Sequence, residues 1–372
     1  MEILRVSNIA GPTSAPFNTF ALFRSRVYRD ENVTYLAYRP LDKTFRAGLQ
    51  RDSANVKIEE CNGSILKLAS SVIRWVLRNR LNKDKIIHAH QPGVGLVSFL
   101  SASLVSFFSI PLVYTVHNSF SNFNGVKKVA VYICFSLAAK ITFVSKDSFS
   151  SFESKLPKSA LRKSVVIQNG ADIDRIRLAT SSRKNQQISK SIIVSCIARL
   201  APQKNLPFLL KVAAIINKDF RLNIYGEGSE RDLLSTQIKQ LGLAKKVFLC
   251  GNIAKEELFI KLYDSDIYVS AAHYEGLAMG LIEALALDVP CLASDISSHQ
   301  EVKELVPSLE LVENDIDQWV ASLTKRIETA ELEKLSKRKQ WTSPDIEKYF
   351  SMARMQKEYR EVYSNLLIAA ER

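Results

Sequence analysis

Short β-rich runs alternate with helix-length segments along most of this chain, and this alternation restricts the possible folds more than any other feature. The first β-rich runs lie at residues 3–7, 33–37, 56–59, 86–88, 112–116, 141–144 and 165–167. Helix-length segments at residues 18–29, 65–81 and 126–139 separate several of them. The pattern is typical of βαβ units and predicts an α/β fold with mostly parallel sheets.

A second series of the same kind follows a polar segment. Asn169-Gly170 is a turn signal, and residues 171–190 are rich in Ser, Arg, Lys and Gln. Strands are then predicted at residues 192–197, 222–225, 247–249, 267–270 and 290–293, with helices at 206–216, 230–241, 255–262 and 281–287. We therefore predict two doubly wound, Rossmann-like domains that face a central cleft. Their boundaries are 1–170, a linker at 171–190, 191–343, and a C-terminal helix at 344–372 that packs back toward the N-terminal domain.

Composition excludes several classes of protein. Hydrophobic residues make up 47% and charged residues 24%, which is typical of a globular protein and not of a disordered chain. The five cysteines have no metal-binding or redox spacing, which indicates free thiols in a reducing, cytoplasmic compartment. Residues 93–116 contain no charged side chain, but Pro111 divides them into a helix and a strand, which favours buried elements over a membrane span.

The net charge of +13 lies entirely in the first half of the chain. Residues 1–170 contain 23 Lys and Arg against 10 Asp and Glu, whereas residues 171–372 contain 28 of each. Such an excess indicates an anionic partner: a nucleic acid, a membrane surface or a phosphorylated substrate.

The densest chemical signal is His273-Tyr-Glu-Gly-Leu-Ala-Met-Gly-Leu-Ile-Glu283. Glu275 is predicted in a loop after a strand and Glu283 in the first turn of a helix. Gly276 and Gly280 would let the backbone approach a ligand, and the helix N-terminus offers N–H groups to an anion. Two carboxylates beside an anion site suit a sugar attached to a phosphate, although acidic residues also favour helix N-termini for electrostatic reasons alone.

Further signals lie at the predicted carboxyl ends of strands. Arg199-Leu-Ala-Pro-Gln-Lys204 could neutralise a diphosphate or be a pair of solvated loop charges. Tyr225-Gly-Glu-Gly228 is equally compatible with a tight turn. His88 and His90 close one strand and His117 another, but no nearby carboxylate or cysteine completes a metal site, so we predict no bound metal.

Together these segments resemble glycosyltransferase family 4, the retaining nucleotide-sugar enzymes of GT-B fold. The resemblance covers nearly the whole chain and is strongest over residues 191–302. The matching segments are Arg199 with Lys204, Tyr225-Gly-Glu-Gly228, Glu275 with Glu283, Ser294-Asp295, Glu301-Val302, His88-Ala-His90, Thr115-Val-His-Asn118, Val144-Ser145 and Val166-Ile-Gln-Asn-Gly170.

The resemblance implies roles for individual residues. Glu275 and His117 would contact the transferring sugar and are the candidate catalytic residues. The remaining donor-site residues implied are Arg199, Lys204, Met279, Gly280 and Leu281 for the diphosphate, Glu283 for the ribose, Gly251, Asn252 and Ile253 for the base, and Gly226 and Gly228 for the donor loop. The family needs neither a metal nor another cofactor here, because cations and the helix dipole stabilise the leaving nucleoside diphosphate.

The sequence also departs from the family pattern. The first loop, residues 8–18, holds a single glycine, Gly11, where the family has a glycine-rich loop. Ala278 stands where proline is frequent, Asp288 where glycine is, and Ser297-Ser298 where Gly-Gly is. The first-loop change leaves the contacts to acceptor and donor sugar there open.

A basic helical segment at residues 64–83 has the composition of an interfacial membrane helix, and equally that of a packed helix with a solvated basic side. Its candidate membrane contacts are Lys67, Arg74, Trp75, Arg78 and Arg80. We expect peripheral binding to the anionic cytoplasmic face of the inner membrane.

The resemblance favours a retaining glycosyltransferase that moves a sugar from a nucleoside-diphosphate sugar, UDP rather than GDP, to a lipid-linked or growing glycan. Bacterial surface polysaccharide synthesis is the setting implied. Two alternatives remain: a sugar-nucleotide 2-epimerase of similar fold, and a basic nucleic-acid-binding protein, although no nucleic-acid-binding motif is present.

Overall fold

The computed structural model describes residues 1–8, 31–41, 56–181, 191–333 and 344–370. The predicted helix at residues 18–29 and the first loop beyond Asn8 lie outside these ranges. The chain forms two compact units. The first unit combines Met1–Gly170 with Met352–Arg372, and the second comprises Ala171–Ser351.

The first unit is built on a seven-stranded parallel sheet of order β3-β2-β1-β4-β5-β6-β7. Its strands are β1 (Glu2–Ser7), β2 (Asn32–Ala37), β3 (Val56–Glu60), β4 (Lys85–His90), β5 (Leu112–Val116), β6 (Lys140–Phe143) and β7 (Ser164–Val166). The order reverses between β1 and β4, which is the point where doubly wound sheets bind ligands beyond the carboxyl ends of their strands.

Helices cover both faces of this sheet. They are α1 (Ile65–Arg78), α2 (Pro92–Ser106), α3 (Gly125–Leu137), α4 (Lys146–Glu153), α5 (Lys158–Arg162) and, from the end of the chain, Met352–Ala370. Side chains of α1, α2 and α3 pack on one face, and Met355, Tyr359 and Tyr363 of the C-terminal helix pack on the other. The uncharged stretch at residues 93–116 therefore forms a helix and a strand, as predicted. No helix in the described ranges is both long and apolar enough to cross a membrane.

The second unit repeats the same strand order in a six-stranded parallel sheet, β10-β9-β8-β11-β12-β13. Its strands are β8 (Ile192–Ile197), β9 (Phe220–Tyr225), β10 (Val247–Gly251), β11 (Ile267–Ser270), β12 (Cys291–Ser294) and β13 (Glu310–Val312). Its helices are α6 (Ile173–Thr180), α7 (Leu206–Ile215), α8 (Arg231–Gln240), α9 (Lys255–Tyr263), α10 (Met279–Ala286), α11 (Ser297–Leu305), α12 (Ile316–Glu333) and α13 (Pro344–Phe350). The order reverses between β8 and β11.

The boundaries differ from the prediction at two places. Helix α6 lies in the segment that the sequence indicated as a linker, and Ile173 and Ile176 are buried in a core of the second unit. The C-terminal segment is also two helices instead of one. Helix α13 belongs to the second unit and α14 (Met352–Ala370) to the first, and they separate at Ser351.

Candidate active site

Two loops of the second unit leave neighbouring strands at the point where the strand order reverses. Residues 198–205 follow β8 and residues 271–278 follow β11, and these two strands pair in parallel. Because carboxyl ends of parallel strands meet at one edge of a sheet, the tertiary fold brings Arg199, Lys204 and Glu275 to one location.

Lys204 and Glu275 form the central contact of this site. The Lys204 ammonium donates to Oε1 of Glu275. The Lys204 side chain is 17% exposed and that of Glu275 is 9% exposed, so both charges are largely removed from water. A buried carboxylate and ammonium are each costly when unpaired, and the pair satisfies both.

Gln203, which the sequence analysis missed, organises the loop around this pair. Its side-chain oxygen accepts from Nη2 of Arg199 at 3.1 Å, and its amide nitrogen donates to Tyr274 O at 2.9 Å. The main-chain N–H of His273 donates to Gln203 O at 2.9 Å. Gln203 thus joins the two loops and orients the exposed Arg199 guanidinium. No local motif marks this residue, because two of its three partners, His273 and Tyr274, are about 70 residues away in sequence.

Helix α10 begins directly after the Glu275 loop. Its N-cap residue, Ala278, makes no side-chain cap, and the Met279 N–H donates to Leu277 O at 2.9 Å. Of the three amides predicted for the diphosphate, those of Gly280 and Leu281 therefore remain as the orphan donors that the first turn of a helix leaves without an intrahelical acceptor. Such donors, together with the helix dipole, are suited to a phosphate group.

Packing against neighbouring strands requires a glycine at position 280, in addition to the predicted approach of a ligand. A Cβ at this position would lie 2.7 Å from the Tyr268 hydroxyl oxygen and 3.0 Å from Ile197 Cβ. The missing side chain lets α10 lie close against strands β8 and β11.

Glu283 lies in the second turn of α10, and not in the first as predicted, because the helix begins at Met279. The side chain is buried, and its two carboxylate oxygens contact the Lys255 ammonium at 2.6 and 2.7 Å. Lys255 is the first residue of α9 and was not a candidate from the sequence. Lys255 lies just after the predicted base-binding segment, Gly251-Asn-Ile253. The Lys255–Glu283 ion pair therefore connects this segment to the predicted ribose-binding residue.

The two glycines of Tyr225-Gly-Glu-Gly228 permit close packing of two backbones. A Cβ on Gly226 would overlap Ala198 O, and one on Gly228 would overlap Leu200 O. Leu200 N–H donates to Glu227 O at 3.0 Å, and Gly226 N–H donates to Gly251 O at 2.9 Å. These glycines therefore hold the loops after β8, β9 and β10 together.

His117 belongs to a separate buried cluster in the first unit. Its Nε2 lies 3.0 Å from Nδ1 of His90, and Nη2 of the buried Arg5 lies 2.9 Å from Nε2 of His90. Burial, followed by the Arg5 charge, lowers the pKa of His117 to about 3. The described residues contain no group of three His, Cys, Asp or Glu side chains suited to a metal.

Four of the five candidate membrane contacts are exposed on α1 or directly after it: Lys67, Arg74, Arg78 and Arg80. Trp75 was wrongly placed among them. It is 6% exposed and packs with Leu68, Val72 and Val76 in the core of the first unit. The helical period places Trp75 about 60–100° around the helix axis from Lys67, Arg74 and Arg78, on the side that faces the core.

Two doubly wound units that share the order of six strands, with ion pairs and a helix N-terminus at the reversal point of the second, have the architecture of the GT-B fold. Family models agree with this class: one described as "Glycosyl transferases group 1" matches residues 179–342, and one described as "Glycosyltransferase Family 4" matches residues 28–175. The chain belongs to glycosyltransferase family 4.

Individual relatives have varied activities. The chain is 25% identical over 297 residues to the UDP-Gal:alpha-D-GlcNAc-diphosphoundecaprenol alpha-1,3-galactosyltransferase of Escherichia coli. This alignment covers 74% of this chain and 75% of that protein. The chain is also 35% identical over 107 residues to the poly(ribitol-phosphate) alpha-N-acetylglucosaminyltransferase of Staphylococcus aureus. That alignment covers 28% of this chain and only 21% of that protein. The structure of HepE from Anabaena in complex with UDP and glucose has the same fold, with a TM-score of 0.77 and 20% identity over 98% of this chain and 100% of that one.

Proposed function

We propose that this glycosyltransferase moves a sugar from a UDP-sugar to a hydroxyl of a lipid-linked or growing glycan, with retention of anomeric configuration, in bacterial surface polysaccharide synthesis. The observation that carries the proposal is the cluster at the β8–β11 reversal point: Lys204 with Glu275, Lys255 with Glu283, and the orphan amides of α10. The names of the Escherichia coli and Staphylococcus aureus relatives support the acceptor class, and the UDP bound to HepE supports the donor.

The charges of this cluster suit a nucleoside diphosphate. Arg199 and Lys204 provide two cations, and Gly280 and Leu281 provide two amide donors, so negative charge that develops on the leaving diphosphate is stabilised without a metal. Glu283 is assigned to the ribose hydroxyls. Lys204 is paired with Glu275 in this structure. When the donor binds, its diphosphate replaces Glu275 as the anionic partner of this lysine.

Retention requires that the acceptor oxygen approach the face from which the diphosphate departs. The bond between C1 of the sugar and the phosphate oxygen breaks, the acceptor oxygen bonds to C1, and the acceptor proton passes to the leaving phosphate. Glu275 is assigned to the sugar beside the reacting carbon, and His117 to a sugar hydroxyl. Neither residue is needed as a covalent nucleophile in this mechanism.

The decisive experiment measures transfer from a panel of UDP- and GDP-sugars, with polyprenyl-diphosphate sugar acceptors and with EDTA present. We expect transfer from a UDP-sugar and a product with the anomeric configuration of the donor by NMR. Lys204→Met should lower transfer by at least about 100-fold. Lys211→Met, on the exposed side of α7, is the matched control. Epimerised donor formed without an acceptor would instead establish the 2-epimerase alternative.

We also propose that the first unit binds an anionic membrane surface, and a second observation supports this. Eighteen large hydrophobic side chains are exposed in the described residues, and eleven of them belong to the layer formed by α1, α2, α3 and the residues next to them. They are Ile65, Leu66, Leu77, Leu81, Leu100, Leu104, Phe107, Phe108, Val126, Val129 and Ile133. Patches of this kind mark interaction surfaces.

Cations accompany these apolar side chains. Lys67, Arg74 and Arg78 are exposed on α1, and Lys127 is exposed at the beginning of α3. An apolar surface with interspersed Lys and Arg is suited to an anionic bilayer, where each basic residue near the surface contributes about 1 kcal/mol. The layer thus accounts for the charge excess of the first half of the chain better than a nucleic acid does.

Co-sedimentation with vesicles tests this surface. We expect binding to phosphatidylglycerol-containing vesicles and much weaker binding to phosphatidylcholine alone. Reversal of two charges in R74E/R78E should weaken binding at least about 30-fold, given about 1 kcal/mol for each residue. R162E, an exposed arginine on α5 outside the layer, is the control. Equal binding to both vesicle types would refute the membrane proposal and leave the transfer reaction untouched.

A further inference from the structure

Three basic side chains of the first unit form a hydrogen-bonded chain, here called the Arg5 relay. It consists of Arg5 on β1, His90 at the end of β4 and His117 directly after β5, and these strands are neighbours in the sheet. Arg5 Nη2 lies 2.9 Å from His90 Nε2, and His90 Nδ1 lies 3.0 Å from His117 Nε2. Arg5 and His90 are wholly or almost wholly buried.

The direction of these hydrogen bonds follows from the chemistry of arginine. A guanidinium group only donates, so Nε2 of His90 must accept. A neutral imidazole carries one N–H, which in His90 must then lie on Nδ1 and donate to Nε2 of His117. His117 in turn accepts at Nε2 and carries its own hydrogen on Nδ1.

Both rings are neutral at physiological pH. Burial, together with the neighbouring His88 and Arg5, lowers the pKa of His90 well below its usual value. Burial and the Arg5 charge lower the pKa of His117 to about 3. Burial, with a smaller contribution from the Arg5 charge, thus keeps both rings neutral, and the N–H donor of Arg5 determines which nitrogen of each ring carries the hydrogen.

The end of the relay is a donor without an acceptor. His117 Nδ1 is buried and has no hydrogen-bond partner among the described residues. Because an N–H that is removed from water and left unpaired costs free energy, an oxygen atom supplied by a ligand is the expected partner.

We infer that Arg5 and His90 are positioning residues, which hold His117 in the Nδ1–H tautomer so that it donates a hydrogen bond to a hydroxyl oxygen of the sugar substrate. The sugar as partner rests on the proposed function, whereas the tautomer does not. Without the Arg5 donor, His90 is free to carry its hydrogen on Nε2. Its Nδ1 would then accept from His117 Nε2, and His117 would present a lone pair to the ligand in place of an N–H group.

A second branch of the same cluster provides an internal control. His88 contacts the Tyr363 hydroxyl through Nδ1 and the Thr115 hydroxyl through Nε2, each at 2.6 Å. Its ring centroid lies 4.4 Å from that of His90, so the two histidines pack together, but this branch does not lead to His117. Tyr363→Phe therefore disturbs the same buried region without interrupting the relay.

The tautomer can be observed directly, because the chain contains only five histidines. Long-range 15N–1H correlation spectra of protein labelled with 15N-histidine distinguish a protonated from an unprotonated ring nitrogen, and His117→Asn identifies the His117 signals. We expect the Nδ1–H form in the wild-type protein at pH 7. An Nε2–H form or a doubly protonated ring would overturn the inference without any variant.

Substitutions then test the cause. Arg5→Met should shift His117 toward the Nε2–H form, whereas Arg5→Lys, which retains a charged donor, and Tyr363→Phe should keep the Nδ1–H form. An unchanged tautomer in folded Arg5→Met would show that Arg5 does not determine it. In the transfer assay, we expect Arg5→Met to lower kcat/KM for the donor about tenfold, as loss of one hydrogen bond to substrate does.

The two proposals can fail separately. If the wild-type protein shows the Nδ1–H tautomer of His117 and Arg5→Met shifts it, but no sugar is transferred, the relay is supported and the proposed function is refuted. If sugar is transferred but His117 carries its hydrogen on Nε2, the proposed function is supported and the relay is refuted.

Discussion

The Lys204–Glu275 pair allows stability and catalysis to be separated in one set of variants. Lys204→Met leaves a carboxylate that is only 9% exposed without its partner. Breaking a fully buried pair costs about 3–5 kcal/mol. Because the Lys204 side chain is 17% exposed, some water reaches the site, and we expect a loss of about 2–4 kcal/mol.

Removal of both charges should behave differently. In Lys204→Met with Glu275→Gln, neither an ammonium nor a carboxylate remains to be desolvated, so the free energy of unfolding should return to within about 1 kcal/mol of the wild type. Glu275→Gln alone leaves the ammonium unpaired and should also cost about 2–4 kcal/mol, so a double-mutant cycle should give a coupling energy of at least about 3 kcal/mol. Transfer should not recover, because the diphosphate has lost a cation and the sugar a carboxylate; we expect at least about a 100-fold loss in all three variants.

Urea denaturation followed by circular dichroism measures stability, and the transfer assay measures activity. Lys211→Met controls for the loss of a surface lysine and should change neither. Additive effects on stability would show that the pair is not coupled, and a double variant that regains activity would show that Lys204 and Glu275 act only on each other. Either result would refute the reasoning.

Three further predictions follow from individual contacts. Gly228→Ala should destabilise the second unit by at least about 2 kcal/mol in urea denaturation, since its Cβ would overlap Leu200 O, whereas Gly93→Ala, with open space around its Cβ, should be neutral. Glu283→Gln should raise the Kd for UDP about tenfold in calorimetric titration, through the weaker acceptor that it offers to ribose hydroxyls, and an unchanged Kd would remove Glu283 from the ribose site. The low pKa of His117, about 3 against about 6.5 when unfolded, gives stability that is complete above pH 6.5 and lost as the pH falls toward 3. That loss is about 2 kcal/mol at pH 5. On going from pH 7 to pH 5, the free energy of unfolding should therefore fall by about 2 kcal/mol less in His117→Asn than in the wild type. An equal fall in both proteins would contradict the assigned pKa.

Trp75 was misassigned because the sequence around it is compatible with two kinds of helix. The basic segment at residues 64–83 contains Trp75, which a membrane helix and a core helix would both use. In the structure, Trp75 faces the sheet with Val72 and Val76, and Arg74 and Arg78 face outward. For Gly280, the sequence predicts approach of a ligand but does not reveal that Tyr268 and Ile197 also leave no room for a side chain. Local sequence does not reveal which neighbour a residue will meet.

Local sequence patterns are sufficient to predict most helices and strands and the α/β class of the fold. Strand β8 lies at Ile192–Ile197 as predicted, because a continuous apolar run between polar segments has only one stable position in a buried parallel sheet. The alternation of such runs with amphipathic helices was sufficient to predict two doubly wound units. These features depend on neighbours within about 20 residues, and hydrophobic periodicity reports them.

The contacts between site residues, in contrast, depend on the tertiary fold. Lys204 is 71 residues from Glu275, Lys255 is 28 from Glu283, and Arg5 is 85 from His90. Each pair forms because parallel strand order brings distant carboxyl ends together, and this order is set by packing over the whole sheet. Burial then excludes water, which makes each unpaired charge costly and each pairing specific. Local motifs therefore indicate candidate residues, whereas the contacts between those residues depend on the packing of the whole sheet.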